Sequence, residues 1–181
     1  MLDWSLAALA DACGRVVVAV PPGYEEPPDR VRGGNWRSES VRNALAAAPE
    51  ATVVVVHDAA RPLVTPELVA RCIDALEGCD AAIAATRVTD TVKEAGPPGL
   101  VERTLDRDRL WAVQTPQVFR ADVLRRALGA SAEVLAAATD DASLVERAGG
   151  TVRVVESSPD NLKVTTELDL RMAEAILLSR C

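Results

Sequence analysis

Short runs of β-branched residues alternate with longer segments of helical periodicity along most of this chain. Such alternation is typical of βα units around a mainly parallel sheet, because each helix returns the chain to the same edge of the sheet. The strongest strand signal is the run TVVVV at residues 52–56, whose continuous apolar character suits a strand buried on both faces. The sequence therefore predicts an α/β fold with a Rossmann-like, mainly parallel sheet.

The remaining elements follow from the same periodicity and from capping signals. Helices are predicted over residues 2–13, 38–48, 66–76, 120–128, 140–148 and 166–178, and further strands over residues 15–20, 81–85 and 152–155. A loop rich in proline and acid is predicted over residues 21–28. Thr65 before Pro66 and Thr166 with Asp169 are helix-capping patterns, whereas the helix at residues 38–48 is predicted to begin near a serine cap at Ser38.

Between residues 87 and 107 the alternation stops. Two short extended stretches, 88–93 and 100–105, flank the sequence Pro97-Pro98-Gly99. Proline and glycine together favour a turn. We predict a protruding β-hairpin arm at about residues 87–107.

Length and charge exclude several classes of protein. With 181 residues, of which 49% are hydrophobic, the chain is expected to form one domain over residues 1–181. A net charge of −7 argues against a nucleic-acid partner, which would require a basic face. Neither an apolar run of about 20 residues nor a signal peptide is present, so we predict no membrane partner and a cytoplasmic location.

The exit of the predicted strand at residues 52–56 carries the best candidate site. The sequence there is HDAARP, which places Asp58 three residues before Arg61. Ligands of α/β sheets bind beyond the carboxyl ends of the strands, where an Asp can hold Mg²⁺ and an Arg can bind phosphate. The alternative is an Asp/Arg pair that only fixes the loop. His57 is interpreted as a positioned or packed histidine rather than a general base.

Three other segments carry hydroxyl and charged groups suited to a phosphate pocket: TPQ at 115–117, TDD at 139–141 and NLKVT at 161–165. The TDD segment is also a common helix N-cap. Lys163 is either a solvated surface lysine or a point charge for a phosphate. Gly33-Gly34 is either a plain turn or a place where backbone lies close to a planar base.

Five phrases, in this order, together resemble one family: VVVVHDAARP, TDTVK, LDRDRLWAVQTPQVF, TDDASLVE and DNLKVT. They are similar to the 2-C-methyl-D-erythritol 4-phosphate cytidylyltransferases. The resemblance implies a nucleotidyltransferase-type fold and a Mg²⁺-dependent reaction of CTP with methylerythritol phosphate that releases pyrophosphate. It also implies a homodimer, formed through an arm by which two subunits embrace.

The resemblance assigns roles position by position. It implies that Asp58 is the metal ligand and that the nucleotide is bound by Gly34, Asn35, Ser40 and Ala59, although the family usually has an acid where Asn35 stands. Arg107 and Lys163 match the catalytic basic residues that position the methylerythritol phosphate. Further substrate contacts are implied for Arg61, Thr91, Thr115 and Thr139.

The start of the sequence departs from the family pattern. The family begins with a strand and a Gly-rich loop that carries an arginine and a lysine, whereas this sequence begins with the helix that follows them. We therefore expect a truncated start and a sheet without its inner first strand. Two alternatives remain open: a ribitol 5-phosphate cytidylyltransferase, which the AARP sequence disfavours, and a non-catalytic relative that acts as a nucleotide-binding or dimerisation protein.

Overall fold

The computed structural model describes residues 1–24 and 29–180. The helices are α1 (Leu2–Ala12), α2 (Arg37–Ala46), α3 (Pro66–Asp74), α4 (Ala121–Ala127), α5 (Ala132–Ala137), α6 (Asp141–Arg147) and α7 (Glu167–Ser179). The strands are β1 (Val18–Val20), β2 (Arg30–Arg32), β3 (Val53–Val56), β4 (Ala81–Arg87), β5 (Lys93–Gly96), β6 (Leu100–Thr104), β7 (Trp111–Arg120) and β8 (Val152–Glu156), and a 3₁₀ turn, η1, spans Arg107–Arg109.

A four-stranded sheet in the order β3-β7-β4-β8 forms the centre of the molecule. Strands β4 and β8 pair in parallel, and β7 pairs antiparallel with both β3 and β4. Three of the four strands therefore share a direction, and the predicted α/β class is confirmed. The sheet is nevertheless mixed, because β7, which the sequence analysis did not assign as a strand, runs the other way between β3 and β4.

Helices cover both faces of this sheet. Phe119 packs with Leu124 of α4 and Val145 of α6, whereas its neighbour Val118 packs with Cys72 of α3. Successive strand residues point to opposite faces, so one strand supplies both cores. The predicted burial on both faces is confirmed for β4, whose first five residues are buried. It is wrong for β3, the last strand of the four-stranded sheet, where only Val56 is buried and Val53 is exposed.

The sheet is interrupted between β1 and β3. Strand β1 pairs with β2 in a separate two-stranded sheet, and the four-stranded sheet ends at β3. A cavity of about 800 Å³ lies between them, lined by Val18 and Ala19 of β1, by the four valines of β3 and by apolar residues of α1 and α2. A strand of five or six residues fills roughly 800–1,000 Å³, given its length, the strand spacing and the distance between packed layers. The cavity, named the slot below, therefore has about the volume of one strand.

The predicted hairpin is confirmed. Strands β5 and β6 pair antiparallel around Pro97-Pro98-Gly99, and most of their residues are exposed. The first of the two strands begins at Lys93, later than predicted. Across the described residues, no helix is both long and apolar enough to cross a membrane.

The capping predictions were right at two of three helices. The Thr65 hydroxyl accepts from the amide of Leu68 at 3.3 Å, and Thr166 forms a capping box with Asp169. Ser38 is not a cap, since α2 begins at Arg37 and the Ser38 hydroxyl donates to the Leu135 carbonyl at 2.7 Å. The predicted loop at residues 21–28 falls partly outside the described residues. The strand predicted at residues 15–20 is confined to Val18–Val20.

Candidate active site

Asp58 follows β3 directly and lies between two cations. Its Oδ2 is 2.9 Å from Lys163 Nζ, and its Oδ1 is 3.1 Å from Arg37 Nε. Burial favours the neutral carboxyl, but the hydrogen bond from Lys163 and the charge of Arg37 outweigh it and hold the pKa of Asp58 below its ordinary value. The carboxylate is therefore ionised at neutral pH.

His57 and Thr115 hold the backbone beneath this carboxylate. The amide of Asp58 donates to Thr115 Oγ1 at 3.1 Å, and Thr115 Oγ1 is 3.0 Å from His57 Nδ1. His57 Nε2 is 3.0 Å from the Arg61 carbonyl, which can only accept, so Nε2 carries the proton and Nδ1 accepts from the Thr115 hydroxyl. Burial lowers the pKa of His57, which agrees with a packed, neutral histidine.

Arg61 ties the loop after β3 to the loop before α7. Its Nη1 donates to the Asn161 carbonyl at 2.7 Å, while Asn161 donates to the Thr115 carbonyl at 2.8 Å. The side chain of Arg61 is buried, and its Nε has no hydrogen-bond partner among the described residues. Burial also lowers the pKa of the Arg61 guanidinium. Arg61 thus braces the loop rather than pairing with Asp58 in a salt bridge.

The Gly33-Gly34-Asn35 turn lies before α2 and is shaped by that helix. The amide of Gly34 donates to Ser40 Oγ at 3.0 Å, and the amide of Asn35 donates to a Glu39 carboxylate oxygen at 2.7 Å. A Cβ on Gly34 would overlap the side chain of Glu39. The turn therefore requires glycine for a close approach of its own helix.

The slot reaches this site. Its lining includes Arg37 and Ser40 of α2 and the segment from His57 to Ala59, at the carboxyl end of β3. The slot is apolar along the strands and polar at this mouth. Of the four predicted nucleotide contacts, Ser40 and Ala59 line it directly, and Gly34 is bonded to Ser40.

Two further predicted site residues belong to the hairpin region. Arg107, in η1 at the base of the hairpin, donates to the Thr89 carbonyl at 2.7 Å, and it is exposed, as is Thr91. Thr139 lies immediately before Asp140, which caps α6 in its place. The structure thus brings Asp58, Lys163, Arg61 and Thr115 together and leaves Arg107 and Thr91 on the arm.

Arg37 was not predicted as a site residue, and Asp141 was named only as part of the TDD segment. Arg37 bonds Asp58 and also donates through Nη1 to Asp141, whose side chain is fully buried. The two residues are 104 positions apart, so no local pattern links them. An available signal was the second acid of TDD, since only the first is needed for a cap. The described residues contain no group of three His, Cys, Asp or Glu that could hold a metal by itself.

Comparison with known proteins identifies relatives of this chain. The family model described as "IspD: 2-C-methyl-D-erythritol 4-phosphate cytidylyltransferase" matches residues 1–179. The protein of that name from Synechococcus sp. (strain CC9902) is 46% identical over 180 residues, covering 98% of this chain and 76% of the relative. That from Microcystis aeruginosa is 40% identical over 196 residues, covering 99% and 87%.

Solved structures give the same result. The crystal structure of 2-C-methyl-D-erythritol 4-phosphate cytidylyltransferase from Thermus thermophilus superposes with a TM-score of 0.85 at 38% identity, covering 97% of this chain and 87% of that one. The 4-diphosphocytidyl-2C-methyl-D-erythritol synthase from Anaerococcus prevotii gives a TM-score of 0.86 at 28% identity, covering 98% of this chain and 88% of that one. With a family match over nearly all of its residues and relatives at these identities, the chain belongs to the IspD family of cytidylyltransferases.

Proposed function

We propose that this protein transfers the cytidylyl group of CTP to 2-C-methyl-D-erythritol 4-phosphate, giving 4-diphosphocytidyl-2-C-methyl-D-erythritol and pyrophosphate for isoprenoid precursor synthesis by the non-mevalonate pathway. The observation that carries the proposal is the ionised Asp58 between Lys163 and Arg37 at the mouth of the slot. A carboxylate with two neighbouring cations at a strand exit suits polyphosphate chemistry. The relatives' names supply the two substrates.

The reaction requires no general base. A phosphate oxygen of the acceptor attacks the α-phosphorus of CTP, and the bond from that phosphorus to the bridging oxygen breaks, so that pyrophosphate leaves with the electron pair. A phosphate monoester with a second pKa of about 6 is already largely ionised at neutral pH. A neutral His57, with both ring nitrogens occupied by Thr115 and Arg61, is consistent with this chemistry.

The basic residues would therefore act by positioning and by charge. In this proposal Lys163 orients the acceptor phosphate, with Arg61, Thr115 and Thr139 shaping that part of the pocket. The nucleotide would lie over Gly34, Asn35, Ser40 and Ala59. Such interactions stabilise charge that develops on the phosphoryl group as the leaving bond breaks.

The donor set fits one Mg²⁺ held together with substrate. Mg²⁺ is commonly bound through one or two carboxylates plus phosphate oxygens, and Asp58 offers a single ionised carboxylate at the mouth of the slot. Asp58 would hold the ion with the phosphates of CTP. When bound, Mg²⁺ would neutralise charge on the triphosphate.

The exposed arm is proposed to join two subunits. Arg107 and Thr91 lie on or beside the hairpin, and we place them in the site of the partner subunit. Coexpression of Asp58→Asn and Arg107→Ala tests this, since half of randomly mixed dimers would be heterodimers with one intact site. About a quarter of the wild-type activity is then expected. No recovery would show that Arg107 serves its own subunit.

The deciding experiment is pyrophosphate release by the purified chain with CTP, MgCl₂ and either methylerythritol phosphate or ribitol 5-phosphate. Turnover with methylerythritol phosphate supports the proposal. Preference for ribitol 5-phosphate would instead identify the chain as a ribitol 5-phosphate cytidylyltransferase. CTP binding measured by calorimetry, without turnover on either acceptor, would favour a nucleotide-binding relative. The proposal keeps the predicted cytoplasmic location, because the reaction consumes a nucleoside triphosphate.

A further inference from the structure

Arg37 connects two carboxylates that come from different parts of the fold. Its Nε bonds Asp58 after β3, and its Nη1 bonds Asp141 at the start of α6. A guanidinium is planar and rigid, so two partners on different nitrogens fix its orientation as well as its position. The compact ammonium of a lysine has no such fork.

Asp141 is an unusual partner because its side chain is inaccessible to solvent. One carboxylate oxygen, Oδ2, accepts a hydrogen bond from Arg37 Nη1. The other, Oδ1, is buried without a hydrogen-bond partner among the described residues. A buried carboxylate is costly unless a cation compensates it. Asp141 therefore holds Arg37 through a contact on the side of the guanidinium that faces α6, where Asp141 is shielded from solvent.

The anchored Arg37 in turn limits where the Asp58 carboxylate can lie. Lys163 occupies Oδ2 and Arg37 occupies Oδ1, so the plane of the carboxylate is set by two cations from different elements. The lysine side chain is 45% exposed and its stem is flexible. In contrast, two nitrogens of the Arg37 guanidinium are each bonded to a carboxylate. Of the two, Arg37 provides the fixed reference.

We propose that Arg37 is a positioning residue. It is held by the buried Asp141 and fixes the position of the Asp58 carboxylate, so that the nucleotide side of the site keeps a constant distance from the segment that begins at Thr139. The inference rests on the proposed cytidylyl transfer and deepens it. Thr139 lies two residues before Asp141. The same arginine would therefore hold the acceptor side of the site, at Thr139, in place against the nucleotide side, at Asp58. Nothing in this role requires Arg37 to touch the reacting atoms.

A stability effect alone would not distinguish positioning from a structural role, so the test uses a double variant. Arg37→Gln leaves Asp141 buried and uncompensated, and its melting temperature should fall. Arg37→Gln/Asp141→Asn removes that charge and should regain most of the melting temperature. The kcat of the double variant should nevertheless stay at least about 10-fold below that of wild type, because Asp58 no longer has Arg37 to position it.

Conservative replacement gives a second measurement. Arg37→Lys keeps the charge but can bond only one carboxylate well, so we expect weaker binding of CTP with MgCl₂ by calorimetry and a reduced kcat. Arg126→Gln is the matched control, since Arg126 forms an exposed pair with Asp122 at 2.8 Å. It should change neither quantity.

The outcomes separate this inference from the function on which it rests. Wild-type kcat and CTP affinity in the double variant would overturn the positioning role while leaving cytidylyl transfer intact. Absence of turnover and of CTP binding in the wild-type chain would instead reject the proposed function. Reduced kcat at a recovered melting temperature supports Arg37 as the positioning residue.

Discussion

Lys163 Nζ lies 2.9 Å from Asp58 Oδ2 and joins the loop before α7 to the loop after β3. The same two loops are also linked by Arg61 and by the amide of Val164, which donates to the Ala60 carbonyl at 2.8 Å. The ion pair is thus supported by backbone, unlike a surface pair between two free side chains. Its two members can be tested separately because they are expected to act on different substrates.

Asp58→Asn removes the charge shared by Arg37 and Lys163 and keeps one oxygen, which can accept a hydrogen bond from one of the two. We expect kcat to fall by about 100-fold or more, as for loss of one preorganised electrostatic group, with little change in circular dichroism. Pyrophosphate release at several MgCl₂ concentrations measures the effect. Asp122→Asn, at an exposed helix position, is the control, and equal turnover in the two variants would remove Asp58 from the site.

Lys163→Ala should impair use of the acceptor more than binding of CTP. A cation that orients the nucleophile acts through positioning, so kcat/KM for methylerythritol phosphate is expected to fall roughly 10- to 100-fold. Steady-state kinetics with each substrate varied in turn would show this. Arg171→Ala removes an exposed ion pair with Glu167 on α7 and is the control. It should leave kcat/KM for methylerythritol phosphate and the affinity for CTP unchanged. A larger loss of CTP affinity than of acceptor use would refute the assignment.

Thr115→Val replaces a buried hydroxyl that bonds both the Asp58 amide and His57 Nδ1. Two partly buried polar groups, the Asp58 amide and His57 Nδ1, then lack a partner, and the free energy of unfolding should decrease by about 1–3 kcal/mol. Urea denaturation followed by circular dichroism measures the change. Thr115→Ser retains the hydroxyl and should lose less than half as much. Equal losses would mean that the methyl group, rather than the hydrogen bonds, stabilises the site.

Asp169 gives a pH-dependent prediction outside the site. Hydrogen bonds from Thr165 and Thr166 lower the pKa of Asp169 from 3.8 to about 2. A lowered folded-state pKa stabilises the protein above pH 3.8, and that contribution disappears as the pH falls through about 2. Asp169→Ala should therefore melt at a lower temperature than wild type at pH 7, with the difference shrinking below pH 3.8. A difference in melting temperature that stays constant below pH 3.8 would contradict this prediction.

The grouping of Asp58 with Lys163 was predictable from the sequence, because ligand-binding loops of α/β sheets follow the carboxyl ends of strands. Asp58 and Lys163 both lie in loops at the edge of the sheet, and the valine run identified β3. The pairing of Arg37 with Asp141 was not predictable, since it depends on where α2 and α6 come to lie in the folded protein. Local patterns specify which residues face an edge, but tertiary packing decides which of them meet.

Strand β7 shows the same limit in the fold itself. Its sequence WAVQTPQVFR contains glutamine, threonine and proline, and the proline in particular disfavours a central strand. In the folded protein Gln117 donates to Asp140 at 2.8 Å, and Gln114 accepts from Asn161 at 2.9 Å. Distant partners thus satisfy one polar atom of each glutamine, while Gln117 Oε1 is buried without a hydrogen-bond partner among the described residues. Hydrophobic periodicity cannot detect such a strand.

The interrupted sheet has a consequence for how the native protein opens. Strand β1 exchanges backbone bonds with β2 alone among the described strands, over three residue pairs, whereas β7 is flanked on both sides along part of its length. Opening the smaller sheet breaks few bonds and leaves β3, β7 and β4 paired. We expect amide hydrogen exchange at residues 18–20 and 30–32 to proceed by sub-global opening, well before residues 117–119 exchange by global unfolding. Mass spectrometry of exchange-labelled peptides would resolve the two classes, and a single common rate would mean that the two sheets open as one cooperative unit.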